Sequence, residues 1–167
     1  MMMPDIVRKL LWFVGLLLFP VLLLNQIHLG GFATPFFYVY FILKQDTAVG
    51  RNQLLLWAFV MGLLVDMFLD VPGVNAAASV FVAMVRPSLL SLFMTRDMQG
   101  SFTPSFRVMG IASFIRYVMC MLLIHAVLVV CLEYFSLVHL GLILTKIVCS
   151  TLLTSLLVFA LEGFRKS

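Results

Sequence analysis

The sequence is dominated by long apolar stretches that carry almost no charge and are separated by short polar or Gly/Pro-containing turns. The stretches fall at about 10–29, 32–43, 54–69, 74–94, 109–135 and 137–161. A helix that crosses a bilayer needs about 20 apolar residues, so this pattern predicts transmembrane helices. The first stretch follows Arg8 and Lys9 but lacks the small-residue cleavage site of a signal peptide, so we expect a retained helix.

Composition excludes a water-soluble globular domain. Hydrophobic residues make up 63% of the 167 residues and charged residues 11%, and the mean hydropathy is +1.16. Soluble domains carry about 25% charged residues, so this chain has too little polar surface to face water. We therefore predict an all-α, polytopic integral membrane protein that forms a single transmembrane domain over residues 1–167, with no room for a separate catalytic domain.

The distribution of positive charge predicts the topology. The stretch at 32–43 is short and contains Pro35, so its length alone does not establish that it crosses. If it crosses and the N-terminus is cytoplasmic, ten of the eleven Lys and Arg residues lie on the cytoplasmic side, with Arg86 and Arg116 counted to the nearer interface. Positive residues resist translocation. We therefore predict six spans, with both termini and the loop from Thr95 to Arg107 in the cytoplasm.

Asp66 is the most informative polar residue because it lies inside the third apolar stretch. Ionisable side chains in a bilayer are costly and usually face the interior of a bundle or a cavity. Asp70 follows one turn later on the same helical face, where we expect it to be hydrated at the outer interface. Two interpretations of Asp66 stay open, namely a structural polar clamp and a site for a substrate, an ion or a proton.

Helix geometry suggests Lys146 as the partner of Asp66. At 1.5 Å per residue, both residues lie roughly 12–13 Å below the outer face of a hydrocarbon core of about 30 Å. Arg86 lies deeper and is a poorer match. The alternative for Lys146 is that its side chain extends to the outer headgroups. We predict an Asp66–Lys146 contact that joins the third and sixth helices.

The connection between the third and fourth stretches contains turn-forming residues. Pro72 and Gly73 predict a tight turn, and Asn75 is suited to cap the fourth helix. We expect the Arg86-Pro87 pair to interrupt that helix, since a proline removes one backbone hydrogen bond. Asp66, Asp70, Asn75, Arg86 and Lys146 are therefore the candidate residues of an intramembrane polar or partner-binding site.

Motifs of common catalytic chemistry do not occur in the sequence. It has no nucleophile elbow, P-loop, His-Glu-x-x-His or GxGxxG. His125, Glu133 and His139 lack a spacing typical of metal ligands. The net charge of +4 follows from the bias of positive residues to the cytoplasmic side and does not indicate nucleic-acid binding. We expect a protein that is not an enzyme and that has no catalytic residue, cofactor or metal.

The stretch from Asn52 to Pro87, NQLLLWAFVMGLLVDMFLDVPGVNAAASVFVAMVRP, resembles the rod shape-determining protein MreD family. That family has a helix ending in Gly-x-x-x-Asp, a turn with proline and glycine, and a next helix that opens with small residues. The residues that match this pattern are Gly62, Asp66, Pro72, Gly73, Asn75 and Ala76. The segment NQIHLGGFATPFFYVYFILK is similar to the family's short second helix, and length and helix number match over nearly the whole chain.

The resemblance implies a non-catalytic role in bacterial cell elongation, in the inner membrane. The implied partners are a bitopic MreC-like protein, RodA, a penicillin-binding transpeptidase and the actin-like MreB. A kinship of fold with the substrate-binding subunits of energy-coupling-factor vitamin transporters is implied too, so such a transport subunit is the alternative function. Transport should require several convergent polar groups. The sequence offers Asp66, Lys146 and His125 and little else. So small a set of polar groups favours the scaffold over the transport subunit.

Overall fold

The structure is a computed structural model that describes Gly15 and residues 35–94, 100–133 and 140–164. Its helices are α1 (Val39–Leu43), α2 (Arg51–Leu69), α3 (Val74–Phe93), α4 (Phe106–Met109), α5 (Ile111–Glu133) and α6 (Leu140–Phe164). The four longer helices, α2, α3, α5 and α6, are long and apolar enough to cross a membrane. The chain is an all-α membrane protein, as its composition predicted.

The four long helices pack in chain order. Helix α2 contacts α3, α3 contacts α5, and α5 contacts α6, while the short α1 touches α2, α3 and α5. Consecutive long helices run antiparallel, since Asp66 near the end of α2 bonds the start of α3 and Lys146 near the start of α6 pairs with Glu133 at the end of α5. The bundle therefore has two ends. We call them the Asp66 end, where α2 and α5 finish, and the Lys44 end, where α3 and α6 finish. The topology predicted from charge assigns the Lys44 end to the cytoplasm.

The outer surface of the bundle is apolar. Leu56 on α2 is 63% exposed, Leu92 on α3 is 71% exposed and Leu156 on α6 is 65% exposed. Such side chains would be unfavourable in water, but lipid tails solvate them. The interior holds buried aromatic and aliphatic residues together with several buried polar residues. Several polar groups therefore lie inside the bundle, and the apolar outward faces suit a bilayer.

The second predicted helix is the element that differs most from expectation. Phe36 to Leu43 are all buried, but between residues 35 and 50 the helix is confined to Val39–Leu43. Pro35 lacks a backbone N–H, and residues 37–38 form a turn. Five helical residues rise about 7.5 Å, a quarter of the hydrocarbon core. The predicted helix 32–43 is therefore wrong over 35–38, and residues 32–34 lie outside the described part of the chain.

The interruption predicted at Arg86-Pro87 is wrong, because α3 continues through Pro87 to Phe93. A proline inside a membrane helix removes only one ladder hydrogen bond, and the ring of Pro87 lies on the exposed side of the helix. Helix α2 begins at Arg51, earlier than predicted. Gly110, with φ of 77°, separates α4 from α5, whereas the sequence suggested one helix from 109.

The other predicted boundaries to compare with the structure are those of the last helix, the first helix and the longest loop. Helix α6 begins at Leu140 and extends to Phe164, beyond the predicted end at 161. The predicted first helix at 10–29 lies outside the described residues apart from Gly15, and so do residues 95–99 of the predicted cytoplasmic loop. The number of six spans therefore stays a prediction.

Candidate functional site

The carboxylate of Asp66 joins the end of α2 to the beginning of α3. Its Oδ1 accepts hydrogen bonds from the backbone N–H and the side-chain Nδ2 of Asn75, both at 2.9 Å. Its Oδ2 accepts from the backbone N–H of Ala76 at 2.8 Å. The first N–H groups of a helix lack partners within it, and the residue at the cap position, Gly73, has no side chain to supply one. Asp66 therefore caps α3 from the neighbouring helix, where the helix dipole favours a negative charge.

Gly62, one turn before Asp66, allows the two helices to approach closely. A Cβ atom at this position would lie 2.5 Å from Cα of Ala76 and 2.6 Å from the carbonyl oxygen of Asn75. Both distances are well inside van der Waals contact. Small residues are used in this way where membrane helices pack backbone to backbone. The glycine is thus what brings the N–H groups of α3 within reach of Asp66.

The turn between α2 and α3 is exposed. Asp70 ends α2 in the left-handed conformation, with φ of 53° and ψ of 36°, which aspartate tolerates better than most residues. Gly73 follows with φ of 76°. Asp70, Pro72 and Gly73 are all exposed. Asp70 therefore shapes the turn at the end of the bundle, and its side chain takes no part in the contacts of the Asp66 carboxylate.

A hydrogen-bonded chain continues from Asn75 into the bundle. The hydroxyl of Tyr38 donates to Oδ1 of Asn75 at 2.7 Å and lies 2.8 Å from Nε2 of His125. Because Tyr38 gives its single proton to Asn75, Nε2 of His125 carries a proton and donates to the tyrosine oxygen. The ring of His125 packs edge-on against Phe36, with centroids 5.1 Å apart. These hydrogen bonds, which begin at Asp66, therefore connect α2, α3, the segment before α1, and α5.

The predicted contact between Asp66 and Lys146 is wrong. The Lys146 Nζ lies 2.8 Å from Oε2 of Glu133, across the connection between α5 and α6. Asp66 instead bonds the beginning of α3. The prediction compared only the membrane depths of charged side chains. Backbone N–H groups at the start of a helix can satisfy a carboxylate without a second charge. Asn75 likewise receives the cap from Asp66 and does not itself cap α3, which begins after Gly73.

Arg86 lies buried toward the Lys44 end of α3. Its Nη2 donates to the carbonyl oxygens of Leu43, at 3.5 Å, and of Gln45. Leu43 is the last residue of α1, and the final carbonyl groups of a helix lack partners within it. Arg86 therefore caps the carbonyl end of α1, where the helix dipole favours a positive charge.

A second polar cluster, which was not predicted from the sequence, lies at the Lys44 end. The Lys44 Nζ forms an ion pair with Oε1 of Glu162 at 2.7 Å and donates to the Pro104 carbonyl at 2.7 Å. The Tyr40 hydroxyl donates to Oε2 of Glu162 at 2.8 Å, and Lys44 also lies 5.5 Å from the ring centroid of Phe114. A carboxylate near the end of an apolar helix is unusual for the same reason as Asp66, and this signal could have identified Glu162.

The polar side chains that the structure describes mainly form hydrogen bonds and ion pairs between helices. Over the described ranges, no group of three or more His, Cys, Asp or Glu side chains is placed to hold a metal ion. No family model matches the chain, and no curated protein or solved structure matches it. The contacts of the α2–α3 hairpin, and the resemblance carried by its residues, are therefore the features that bear on function.

Proposed function

We propose that the protein is a non-enzymatic scaffold of the bacterial rod (elongation) complex in the inner membrane. It supports cell-shape control and peptidoglycan synthesis by contact with an MreC-like bitopic protein and associated synthases. RodA, a penicillin-binding transpeptidase and MreB are the further partners that the resemblance implies. The observation that carries the proposal is the use of Asp66, because the acidic residue of the MreD-like pattern is buried and accepts three hydrogen bonds from α3.

This use of Asp66 supports a scaffold because it makes the hairpin rigid. The residues that match the pattern at Gly62, Asp66, Asn75 and Ala76 all contribute to one close contact between α2 and α3. A carboxylate engaged in this way stabilises a shape that other proteins can recognise. A carboxylate that binds a substrate would instead keep an oxygen directed at an open site.

The hairpin presents a distinctive surface at its tip, which we call the outer turn and define as Met67, Phe68, Leu69, Asp70 and Pro72. Met67 is 69% exposed and Phe68 is 48% exposed, and Asp70 and Pro72 are exposed beside them. An apolar and aromatic patch next to a carboxylate is suited to a partner that passes from lipid into water at this level. We assign the outer turn to the contact with the MreC-like protein.

Affinity purification from native membranes tests the proposal. The tagged full-length protein should recover the MreC-like protein and a synthase, and its depletion should make rod-shaped cells round. A variant carrying Gly62→Leu, which forces α2 and α3 apart, should lose these partners. Recovery of a pair of ATP-binding cassette subunits, with cell shape unchanged on depletion, would contradict the scaffold.

A second candidate function is a substrate-binding subunit of an energy-coupling-factor-type vitamin transporter. One observation favours it, because buried polar atoms in the described part of the bundle lack hydrogen-bond partners, among them Ser79 Oγ, His125 Nδ1 and Thr151 Oγ1. Buried polar groups are usually paired, and a polar ligand would supply partners. Saturable binding of a vitamin-like ligand to the purified protein would support this candidate, whereas the scaffold predicts no such binding.

A further inference from the structure

Exposed charges of opposite sign lie at opposite ends of the bundle. Over the described residues, the exposed cations are Arg51, Arg107 and Arg116, and all three lie at the Lys44 end. The exposed carboxylates of the same ranges, Asp70 and Glu133, lie at the Asp66 end. A surface that carries one sign of charge attracts partners of the opposite sign. The Lys44 end is therefore suited to a negatively charged partner.

The described carboxylates nearest to these cations bond other groups. Glu162 pairs with Lys44, and Asp46 accepts a hydrogen bond from the hydroxyl of Thr103. Arg116 forms no ion pair with any residue that the structure describes. A guanidinium does not lose its proton in proteins. Nothing in the described ranges therefore neutralises Arg116.

Arg116 lies on a lipid-facing side of α5. Ala112, one turn earlier on the same face, is exposed, and Leu123, two turns later, is 51% exposed. Helix α5 has 23 residues and rises about 34 Å, slightly more than the hydrocarbon core of about 30 Å. With the helix centred in that core, the Cα atom of Arg116 lies roughly 5 Å inside the boundary at the Lys44 end. This side of α5 therefore faces lipid at the level of Arg116.

The side chain of Arg116 leads from this level toward the lipid headgroups. The Cα–Cβ bonds of a helix tilt toward its N-terminus, and α5 begins at the Lys44 end. A long arginine side chain keeps its stem in apolar surroundings while its charged group reaches the polar interface. A water-soluble protein does not enter the bilayer to this depth, whereas the phosphate of a neighbouring lipid is within reach of the interface.

We propose that Arg116 binds the phosphodiester group of an anionic phospholipid at the Lys44 end. A guanidinium donates two parallel hydrogen bonds to phosphate oxygens. In a zwitterionic lipid the headgroup amine cancels the phosphate charge and repels the arginine, so a lipid with a net negative charge, such as phosphatidylglycerol, is preferred. Arg51 and Arg107 raise the positive potential at the same end. The site goes beyond the scaffold function and does not depend on it.

Native mass spectrometry of the full-length protein tests this site after release from nanodiscs with equal amounts of phosphatidylglycerol and phosphatidylcholine. The unsubstituted protein should retain phosphatidylglycerol in preference. Arg116→Gln should weaken the apparent affinity for this lipid about fivefold, as expected for one arginine at an anionic surface. Arg116→Lys keeps the charge but not the bidentate geometry and should be intermediate. Arg51→Gln, at the first residue of α2, should change the affinity by less than about twofold, because water and salt screen a charge there.

An unchanged preference in Arg116→Gln would overturn the proposal. Equal losses in Arg116→Gln and Arg51→Gln would overturn it too, because they would show a diffuse attraction of the whole end. Displacement of the retained lipid by inorganic phosphate would assign the guanidinium to a free anion instead. Equal unfolding temperatures of all variants in phosphatidylcholine alone are expected, since both arginines are exposed, and would show that the losses do not come from misfolding.

Photocross-linking to lipid supplies an independent measurement. A photoreactive side chain at Ala112, on the face of Arg116, should capture phosphatidylglycerol in excess of its share of the bilayer. The same probe at Leu132, which is exposed near the other end of α5, should capture the two lipids in proportion to their amounts. Equal lipid ratios at the two positions would overturn the site.

Discussion

Asp66 satisfies two backbone donors and one side-chain donor of the next helix with a single carboxylate. A neutral amide could not do the same, because one of its two polar atoms is a donor and would face another donor. The geometry also requires Gly62, since any Cβ atom there would meet the backbone of α3. At the scale of single residues, the hairpin therefore depends on a specific acid and a specific glycine, placed one turn apart.

Replacing Asp66 by alanine should lower the free energy of unfolding by about 2–4 kcal/mol, because the cap is lost and buried N–H groups of α3 stay unpaired. Unfolding in mixed micelles measures the change. Asp70→Asn is the matched control, since Asp70 is exposed and left-handed and asparagine also adopts that conformation. The control should change stability by no more than about 0.5 kcal/mol. Similar losses in the two variants would contradict the capping role.

Gly62→Ala should destabilise the protein by about 1–3 kcal/mol or more, because the added methyl group forces α2 and α3 apart. Gly141 in α6 provides the comparison, since a Cβ atom there would have nothing within 4 Å. Gly141→Ala should be neutral or slightly stabilising, as expected for alanine in a helix. Thermal unfolding of both variants in the same detergent is the measurement, and a tolerant Gly62 would mean that the helices do not pack as described.

Contacts on both sides of the short α1 hold it in the bundle. Before the helix, the backbone N–H of Phe36 donates to Oγ1 of Thr154 at 3.1 Å. At its end, Arg86 contacts the carbonyl groups of Leu43 and Gln45. A five-residue helix has no intrinsic stability in isolation, so these tertiary contacts and its complete burial account for it.

Thr154→Val should cost about 1–3 kcal/mol of stability, because the buried N–H of Phe36 then lacks an acceptor while the shape of the side chain is kept. Thr145→Val is the control. Thr145 also bonds the carbonyl four residues earlier in α6, that of Gly141, but it is exposed. Equilibrium unfolding of the two variants should separate them clearly, and equal effects would show that the contact with Phe36 contributes nothing.

The elements illustrate what the sequence can and cannot predict. The long helices and the turn near Pro72 follow from apolar run length and from proline and glycine, which act locally. The shortening of the second helix did not follow from the sequence, because the backbone N–H of Phe36 finds its acceptor in Thr154, a residue far away in the chain. The partner of Asp66 was missed as well, since depth along a helix leaves the direction of the side chain undetermined.

At the scale of the whole molecule, each end of the bundle holds one cluster of polar contacts among the described residues. The Asp66 end holds the capped hairpin, and the Lys44 end holds the pair of Lys44 with Glu162. That pair joins residues 118 positions apart in the chain, and such a distance leaves no local pattern for a sequence analysis to detect. The topology predicted from charge assigns the Lys44 end to the cytoplasm.

Cysteine labelling tests this orientation. In a variant whose native cysteines are replaced by serine, Ser101→Cys at the Lys44 end should resist a membrane-impermeant reagent added to intact cells. Pro72→Cys in the outer turn should react, because both positions are exposed and the predicted topology puts them on opposite sides of the membrane. Reaction of Ser101→Cys from outside would overturn the six-span topology.

Site-specific photocross-linking in native membranes tests whether the outer turn contacts an MreC-like protein, as we propose for the scaffold. A photoreactive side chain at Phe68 should cross-link to a bitopic MreC-like protein. The same probe at Leu156, which is 65% exposed on α6, should not yield that product, because it faces lipid away from the hairpin. Cross-links from Phe68 to transporter subunits, or identical products from both positions, would show that the outer turn is not the contact with the MreC-like protein.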